Sequence, residues 1–261
     1  MQYEEIVEQW RAFTIETRSD LDRYLHSFKV LFAFHSGRIE NEAITYYDTR
    51  EIFEKGQVIH YTGETKALFE QQNQKLCYEY LKDKIIAKES ITIPLIKEIH
   101  RILTSGTYDE HRFIVNDERP GEFKKHDYVT GIHEVGSDAK DVEADLQELL
   151  DEINQFGPKN PLKAGAYFHA CFESIHPFAD GNGRVGRTLL NDWLMINQYP
   201  PIIIYDANKK EYYNALKNYD EEEKIDPLVD FLKQQTIKTW NKTFGDKNRT
   251  EHKRKNLMDL L

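Results

Sequence analysis

Apolar residues recur at three- and four-residue spacing along most of the chain, the period of a helix with one buried face. The clearest stripe is Val142, Leu146, Leu149, Leu150 and Ile153, which predicts a helix over 142–156. Residues 3–34 show the same period and read as two helices. Residues 65–82 are polar-rich, with Leu68, Leu76, Tyr80 and Leu81 on one side. A helix over 93–103 carries Pro94 near its first turn, where proline is tolerated. Residues 163–175 are apolar almost all round, the pattern of a central buried helix. Further helices are predicted over 185–196, 209–216 and 228–240. Only 105–137 loses the period. Gly106, Pro120, Gly121, Gly131 and Gly136 punctuate it, and "HDYVTGIHEV" holds short β-favouring pieces around a glycine. These predict a small exposed hairpin at about 120–136, placed to act as a lid. The expected fold class is all-α, a compact helical bundle with one small β-hairpin. It divides into N-terminal helices (1–60), a core (61–243) and a C-terminal tail (244–261).

Composition narrows this picture. A chain of 261 residues, 31% charged and 12% aromatic, can bury a real core and is not disordered. Its net charge of −10 makes it a poor general binder of nucleic acid or anionic membrane. The tail "KNRTEHKRK" (247–255) is the basic exception and reads as a solvated extension. Two cysteines, Cys77 and Cys171, sit in helix-like patterns without a CxxC, so both read as buried thiols of a reducing, cytoplasmic compartment. "MQYEEIVEQW" is acidic and amphipathic rather than a signal peptide, and no apolar run approaches a membrane span.

The chemistry concentrates in "HPFADGNGRVGRT" (176–188). Gly181-x-Gly183-x-x-Gly186 spells a dinucleotide fingerprint, and an acidic Asp206 follows at a plausible distance after "PPIIIY". A fingerprint needs a buried strand before its first glycine, however, and "SIHPFAD" cannot be one. The P-loop reading of the same letters fails likewise and lacks the lysine. What survives is the physics both motifs share. Gly181 and Gly183 permit close backbone approach, and the helix predicted from Val185 offers unpaired N–H groups and a favourable dipole to an anion. Arg184 and Arg187 add two guanidinium groups, Asp180 a hard oxygen donor suited to Mg²⁺, and His176 a candidate general base.

The string resembles the Fic signature, H-P-F-x-D-G-N-G-R-x-x-R, at every specified position. "IKEIHRIL" (96–103), "PGEFKKHDYVTGIH" and "NQYPPIIIYDANKKEYYNAL" are similar to the family's helix, flap hairpin and post-signature segment, so the likeness covers roughly 32–232. It implies the compact helical fold with one hairpin. It also implies transfer of AMP from ATP to a Ser, Thr or Tyr hydroxyl of a protein, this chain included. His176 would deprotonate that hydroxyl. Asp180 would hold Mg²⁺, or Mn²⁺, against the α- and β-phosphates. Gly181, Asn182 and Gly183, with Val185 and Gly186 at the helix start, would form the anion hole. Arg184 would contact the β-phosphate region and Arg187 the γ-phosphate. Phe178 would anchor the loop, and Tyr212 and Tyr213 would lie beside the adenine. Thr130, Gly131, Ile132 and His133 match the flap strand that pairs with the target's backbone.

"SGRIEN" resembles a second family motif, [S/T]-x-x-x-E-[G/N], carried by an inhibitory helix, here at about 36–46 with Ser36 as its N-cap. Ser36 and Glu40 are i,i+4 and share a helical face, and Asn41 completes the motif. The resemblance implies that Glu40 pairs with Arg187 and leaves ATP unproductively bound. Two rivals remain open: a Fic enzyme using another donor or mainly removing AMP, and a non-catalytic interaction or toxin–antitoxin module. The unaltered Gly183-Arg184 pair argues against a kinase type, and intact His176, Asp180 and both arginines argue against decay.

Overall fold

The computed structural model describes the chain except residues 60, 131–133 and 259–261, and gives the backbone alone at 129, 130, 134, 135 and 245–258. Helices α1 (Tyr3–Arg11), α2 (Arg18–Tyr24) and α3 (His26–Glu40) replace the two expected at the N-terminus. Thr17 makes the extra break. Its hydroxyl accepts the Asp20 N–H at 3.1 Å while the Asp20 carboxylate accepts the Thr17 N–H at 3.1 Å, a reciprocal cap that starts α2. α4 (Tyr46–Lys55), α5 (Thr65–Ala87) and α6 (Ile93–Thr104) follow. A single π-helical turn, His111–Val115, opens the irregular region. Two-residue strands, β1 (Val129–Thr130) and β2 (Glu134–Val135), pair antiparallel there, Thr130 opposite Glu134. The expected flap residues Gly131, Ile132 and His133 lie outside the described residues. The chain ends in α7 (Val142–Phe156), α8 (Pro161–Ile175), α9 (Asn182–Ile196), α10 (Lys209–Glu222) and α11 (Asp226–Met258).

α8 and α9 pack against each other at the centre. α7, α10 and α11 lie on α8, while α3, α5 and α6 lie on α9. Every residue of α9 from Arg184 to Leu194 is buried, so this helix carries charged and polar groups through the core itself. "PPIIIY" is buried and extended but joins no ladder among the described residues. Asn191 supplies the hydrogen bonds a neighbouring strand would give: its side chain donates to the Ile202 carbonyl at 2.9 Å and accepts the Ile202 N–H at 2.7 Å. Among the described residues no helix is long and apolar enough to cross a membrane. Cys77 is buried and Cys171 half-buried, its sulfur 3.2 Å from the Tyr219 hydroxyl.

Three expectations are corrected. Ser36 is not an N-cap, and there is no separate helix over 36–46. Residues 36–40 form the last turn of α3, and α4 begins only at Tyr46, where the Thr45 side chain accepts the Asp48 N–H. The core face of α5 is not the apolar stripe. Leu76 is half exposed, whereas Glu70, Gln71, Asn73 and Gln74 are buried. The cause is hydrogen bonding. Asn73 donates to the Leu103 and Ser105 carbonyls at the end of α6, and Gln71 accepts the Thr49 hydroxyl at 3.0 Å. Finally, α9 begins at Asn182 rather than Val185, because Gly181 takes the left-handed φ of 82° that starts it.

Candidate active site

His176 ends α8 in a left-handed conformation, φ 51°, which is costly for a residue with a Cβ. Five residues separate it from the start of α9. The turn is fixed from inside. Phe178 is fully buried and stacks on His100 of α6, ring centroids 3.7 Å apart. The Asn182 side chain accepts the Phe178 N–H at 2.9 Å and donates to the Phe178 carbonyl at 2.7 Å. His100 holds the next stretch. It accepts the Gly121 N–H at Nδ1, so its proton sits on Nε2 and is donated to the Asp180 carbonyl at 3.0 Å. Burial depresses the His100 pKa to about 3, which keeps this arrangement neutral.

The turn opens into a cleft of about 530 Å³ lined by Glu40, Lys66, Glu70, His176, Asp180, Arg184 and neighbouring residues. His176 is held neutral: burial, then the nearby Lys124 ammonium, push its pKa down to about 4. A neutral imidazole keeps one ring nitrogen unprotonated and able to accept a proton. Asp180 is ionised. Burial opposes its charge, but Arg184, Lys66 and Arg112 hold its pKa below the usual carboxylate value. One of its oxygens accepts the Gly181 N–H at 2.7 Å. An ionised, part-exposed carboxylate is a sound single donor for Mg²⁺ whose remaining ligands come from phosphates and water. Among the described residues no three His, Cys, Asp or Glu side chains cluster as a metal cage.

The cradle is smaller than the sequence suggested. Val185 donates its N–H to the Gly181 carbonyl at 3.0 Å and is fully buried, so it cannot serve an anion. Gly186 faces away from the cleft: a Cβ there would lie 2.5 Å from Glu173 Oε1. The Asn182 side chain is spent on Phe178. The groups heading the helix are the N–H of Asn182, Gly183 and Arg184.

Both arginines are buried. Arg187 donates from Nε to Ser36 Oγ at 3.0 Å and from Nη2 to the Ser36 carbonyl at 2.9 Å and Glu40 Oε1 at 2.7 Å. Its Nη1 has no partner. The last turn of α3 therefore lies directly on Arg187, joining positions some 150 residues apart in sequence. α3 is pinned in turn from the post-signature segment. His35 and Arg38 both contact Asp206, at 2.8 and 2.9 Å, and Lys209 Nζ donates to the Ile39 carbonyl at 2.5 Å. Arg184 Nη1 lies 3.0 Å from Glu70 Oε1, a buried carboxylate that the sequence pattern gave no reason to select. Tyr212 is fully buried and its hydroxyl meets His169 Nε2 at 2.7 Å behind Arg187, so its ring has no free face for a base; Tyr213 is 42% exposed and has one. Glu173, behind the same arginine, has its pKa raised to about 7 by burial despite Arg187.

Residues 90–194 match the Fic/DOC family model. The protein adenylyltransferase Fic of Drosophila willistoni is 31% identical over 211 residues, 79% of this chain and 40% of that protein, and the Drosophila persimilis protein of the same name matches similarly. The chain thus spans about two fifths of the length of the curated relatives it matches. The crystal structure of a Fic domain containing signaling protein from Bacteroides thetaiotaomicron has a TM-score of 0.78, covering 92% of this chain and 94% of that one at 25% identity. Fic-1 from C. elegans shares the fold, with a TM-score of 0.77 at 23% identity, over 95% of this chain and 71% of that chain. The signature loop, its supporting helices and these matches together show that the chain carries a Fic domain.

Proposed function

We propose that the protein is an adenylyltransferase that moves AMP from ATP to a Ser, Thr or Tyr hydroxyl of a protein, and that the conformation described is its restrained one. The observation that carries this is the 2.7 Å contact of Glu40 with Arg187 on the wall of a cleft that also holds His176 and Asp180. In the family pattern Arg187 serves the γ-phosphate. A carboxylate at that position competes with the phosphate for the same guanidinium.

In the forward reaction the target hydroxyl oxygen forms a bond to the α-phosphorus while the bond to pyrophosphate breaks. The hydroxyl proton passes to the unprotonated ring nitrogen of His176, which is neutral near pH 7 and can accept it. The N–H groups of Asn182, Gly183 and Arg184 face the oxygens on which charge develops. Arg184 and Arg187 hold the leaving pyrophosphate once Glu40 has withdrawn. Mg²⁺ bound through Asp180 would neutralise phosphate charge. Tyr213 offers a ring face to the adenine. Thr130, Gly131, Ile132 and His133 would add a strand to the target's backbone, so recognition would rest on main-chain hydrogen bonds.

The test uses the Glu40→Gly protein with ATP radiolabelled at the α- or the γ-phosphorus. Protein-bound label from the α-position alone is expected, and none when His176→Ala is added. Label from the γ-position would mean phosphate transfer and would overturn the reading.

A further inference from the structure

α5 brings two charged side chains to the cleft one turn apart, Lys66 and Glu70. They face two residues of the signature segment that are also four apart. Lys66 Nζ lies 3.5 Å from Asp180 Oδ2, and Glu70 Oε1 lies 3.0 Å from Arg184 Nη1. The two contacts differ in kind. Lys66 is 45% exposed, and a pair so open to water is weak. Glu70 and Arg184 are each 3% exposed, so neither charge has water to fall back on.

Glu70 is itself held. Its other oxygen accepts from Asn41 Nδ2 at 3.1 Å, while Asn41 Oδ1 accepts the Ala43 N–H at 3.0 Å. Adjacent residues at the end of α3 therefore reach both arginines, Glu40 touching Arg187 directly and Asn41 touching Arg184 through Glu70. Arg184 still has capacity for a ligand. Its Nε and Nη1 are buried and make no directed hydrogen bond, while its Nη2 lies beside the cleft residue Asp180, 3.7 Å from Oδ1. The Glu70 contact is a charge contact at the Nη1 corner of the guanidinium, and it leaves Nη2 to donate to a ligand.

We propose that Glu70 is a positioning residue for nucleotide binding: it fixes the Arg184 guanidinium so that Nη2, beside Asp180, meets the β-phosphate. The proposal rests on the adenylyltransferase reading for the identity of the ligand, though not for the role of Glu70 toward a diphosphate group. A guanidinium in a buried wall has no hydration shell to restrain it, and a carboxylate at its Nη1 corner limits both its plane and its reach. The opposing idea, that Glu70 blocks Arg184 as Glu40 blocks Arg187, predicts the reverse effect on affinity.

The test is equilibrium binding to Glu40→Gly and to Glu40→Gly/Glu70→Gln, in Mg²⁺, of inorganic pyrophosphate, ADP and AMP. Loss of one oriented charge-assisted contact is expected to weaken pyrophosphate and ADP about tenfold and AMP less than about twofold. Unchanged or tighter binding of pyrophosphate and ADP would overturn the proposal. So would equal weakening of AMP, which means a collapsed site rather than a misplaced Arg184. Glu70→Asp keeps the charge but shortens its reach; a loss smaller than that of the amide is expected, and if the amide does not fold the same limits apply to Glu70→Asp. If the Glu40→Gly parent binds pyrophosphate yet transfers no AMP, the adenylyltransferase reading fails and Glu70 is still judged. A parent that binds none of the three overturns both.

Discussion

Removing Glu40 leaves a buried guanidinium short of its carboxylate, and this has a cost that nucleotide should repay. In Glu40→Ala, Arg187 keeps its bonds to Ser36 Oγ and the Ser36 carbonyl but loses the 2.7 Å contact from Nη2. Arg187 is 2% exposed and Glu40 33% exposed, so water entering from the cleft relieves part of the loss. A hydrogen bond between charged groups contributes about 1.5–3 kcal/mol, and about 2 kcal/mol is a fair figure at a half-open site. For a chain of this size that corresponds to a melting temperature about 4–8 °C lower without ligand. Alanine is well tolerated at the end of α3, so little of the shift comes from helix propensity. The vacated arginine is then open to a γ-phosphate. ATP at about a hundred times its Kd would return about 2.7 kcal/mol, more than the wild type gains while Glu40 holds the position. Differential scanning fluorimetry of both proteins, alone and with ADP or ATP in Mg²⁺, reads each quantity. If Glu40→Ala melts with the wild type, or if ATP is no better than ADP for the variant, Arg187 is not the γ-phosphate partner that Glu40 covers.

Other expectations concern the frame around the cleft. At Gly136 an added Cβ would lie 2.5 Å from the Ile175 carbonyl and 2.7 Å from His176 Cβ, so Gly136→Ala should lose about 1–3 kcal/mol in urea unfolding; an unchanged midpoint would contradict this packing of the irregular region on His176. Burial depresses His100 and His169 to about 3 and His176 to about 4, and raises Glu173 and Asp192 to about 7. Each imidazole takes up its proton only on unfolding, so its stabilisation is lost as pH falls below the ordinary histidine value; each raised carboxyl acts oppositely, its stabilisation being lost as pH rises toward 7. Three against two, with His35 also depressed by burial, leaves about one or more extra protons on the unfolded chain between roughly pH 4.5 and 5.5, so stability should rise by at least about 1.4 kcal/mol per pH unit there, and a falling trend in urea titrations would refute the balance. With His176 already neutral at pH 5.5, AMP transfer by Glu40→Gly should show no acid limb near 6.5, and an inflection there that follows His176 would mean that its ring is more exposed to water than described.

The helical architecture was legible where burial is apolar and continuous. Leucine spacing predicted α7 to the residue, and the nearly all-apolar 163–175 is indeed central. Legibility failed where burial is polar. Glu70, Gln71 and Asn73 lie off the apolar side read for 65–82, yet they are buried and satisfy Arg184, the start of α4 and the end of α6. Ser36 read as the start of a helix because serine is a poor helix interior and a good N-cap. In the fold Ser36 bonds Arg187, and Gly37 leaves room for the Gln71 side chain, whose end an added Cβ would displace. These are contacts between distant segments, which local pattern does not encode. The signature loop was readable for its residue types, but the split between Asn182 holding Phe178 and the N–H groups facing the cleft required coordinates.

The most direct test of the account is the intact mass of wild type, Glu40→Gly and Glu40→Gly/His176→Ala after incubation with ATP and Mg²⁺. A restrained adenylyltransferase predicts a gain of AMP on the Glu40→Gly chain, much less on the wild type, and none on the double variant. No gain on Glu40→Gly with either Mg²⁺ or Mn²⁺, or an equal gain on the double variant, would contradict it.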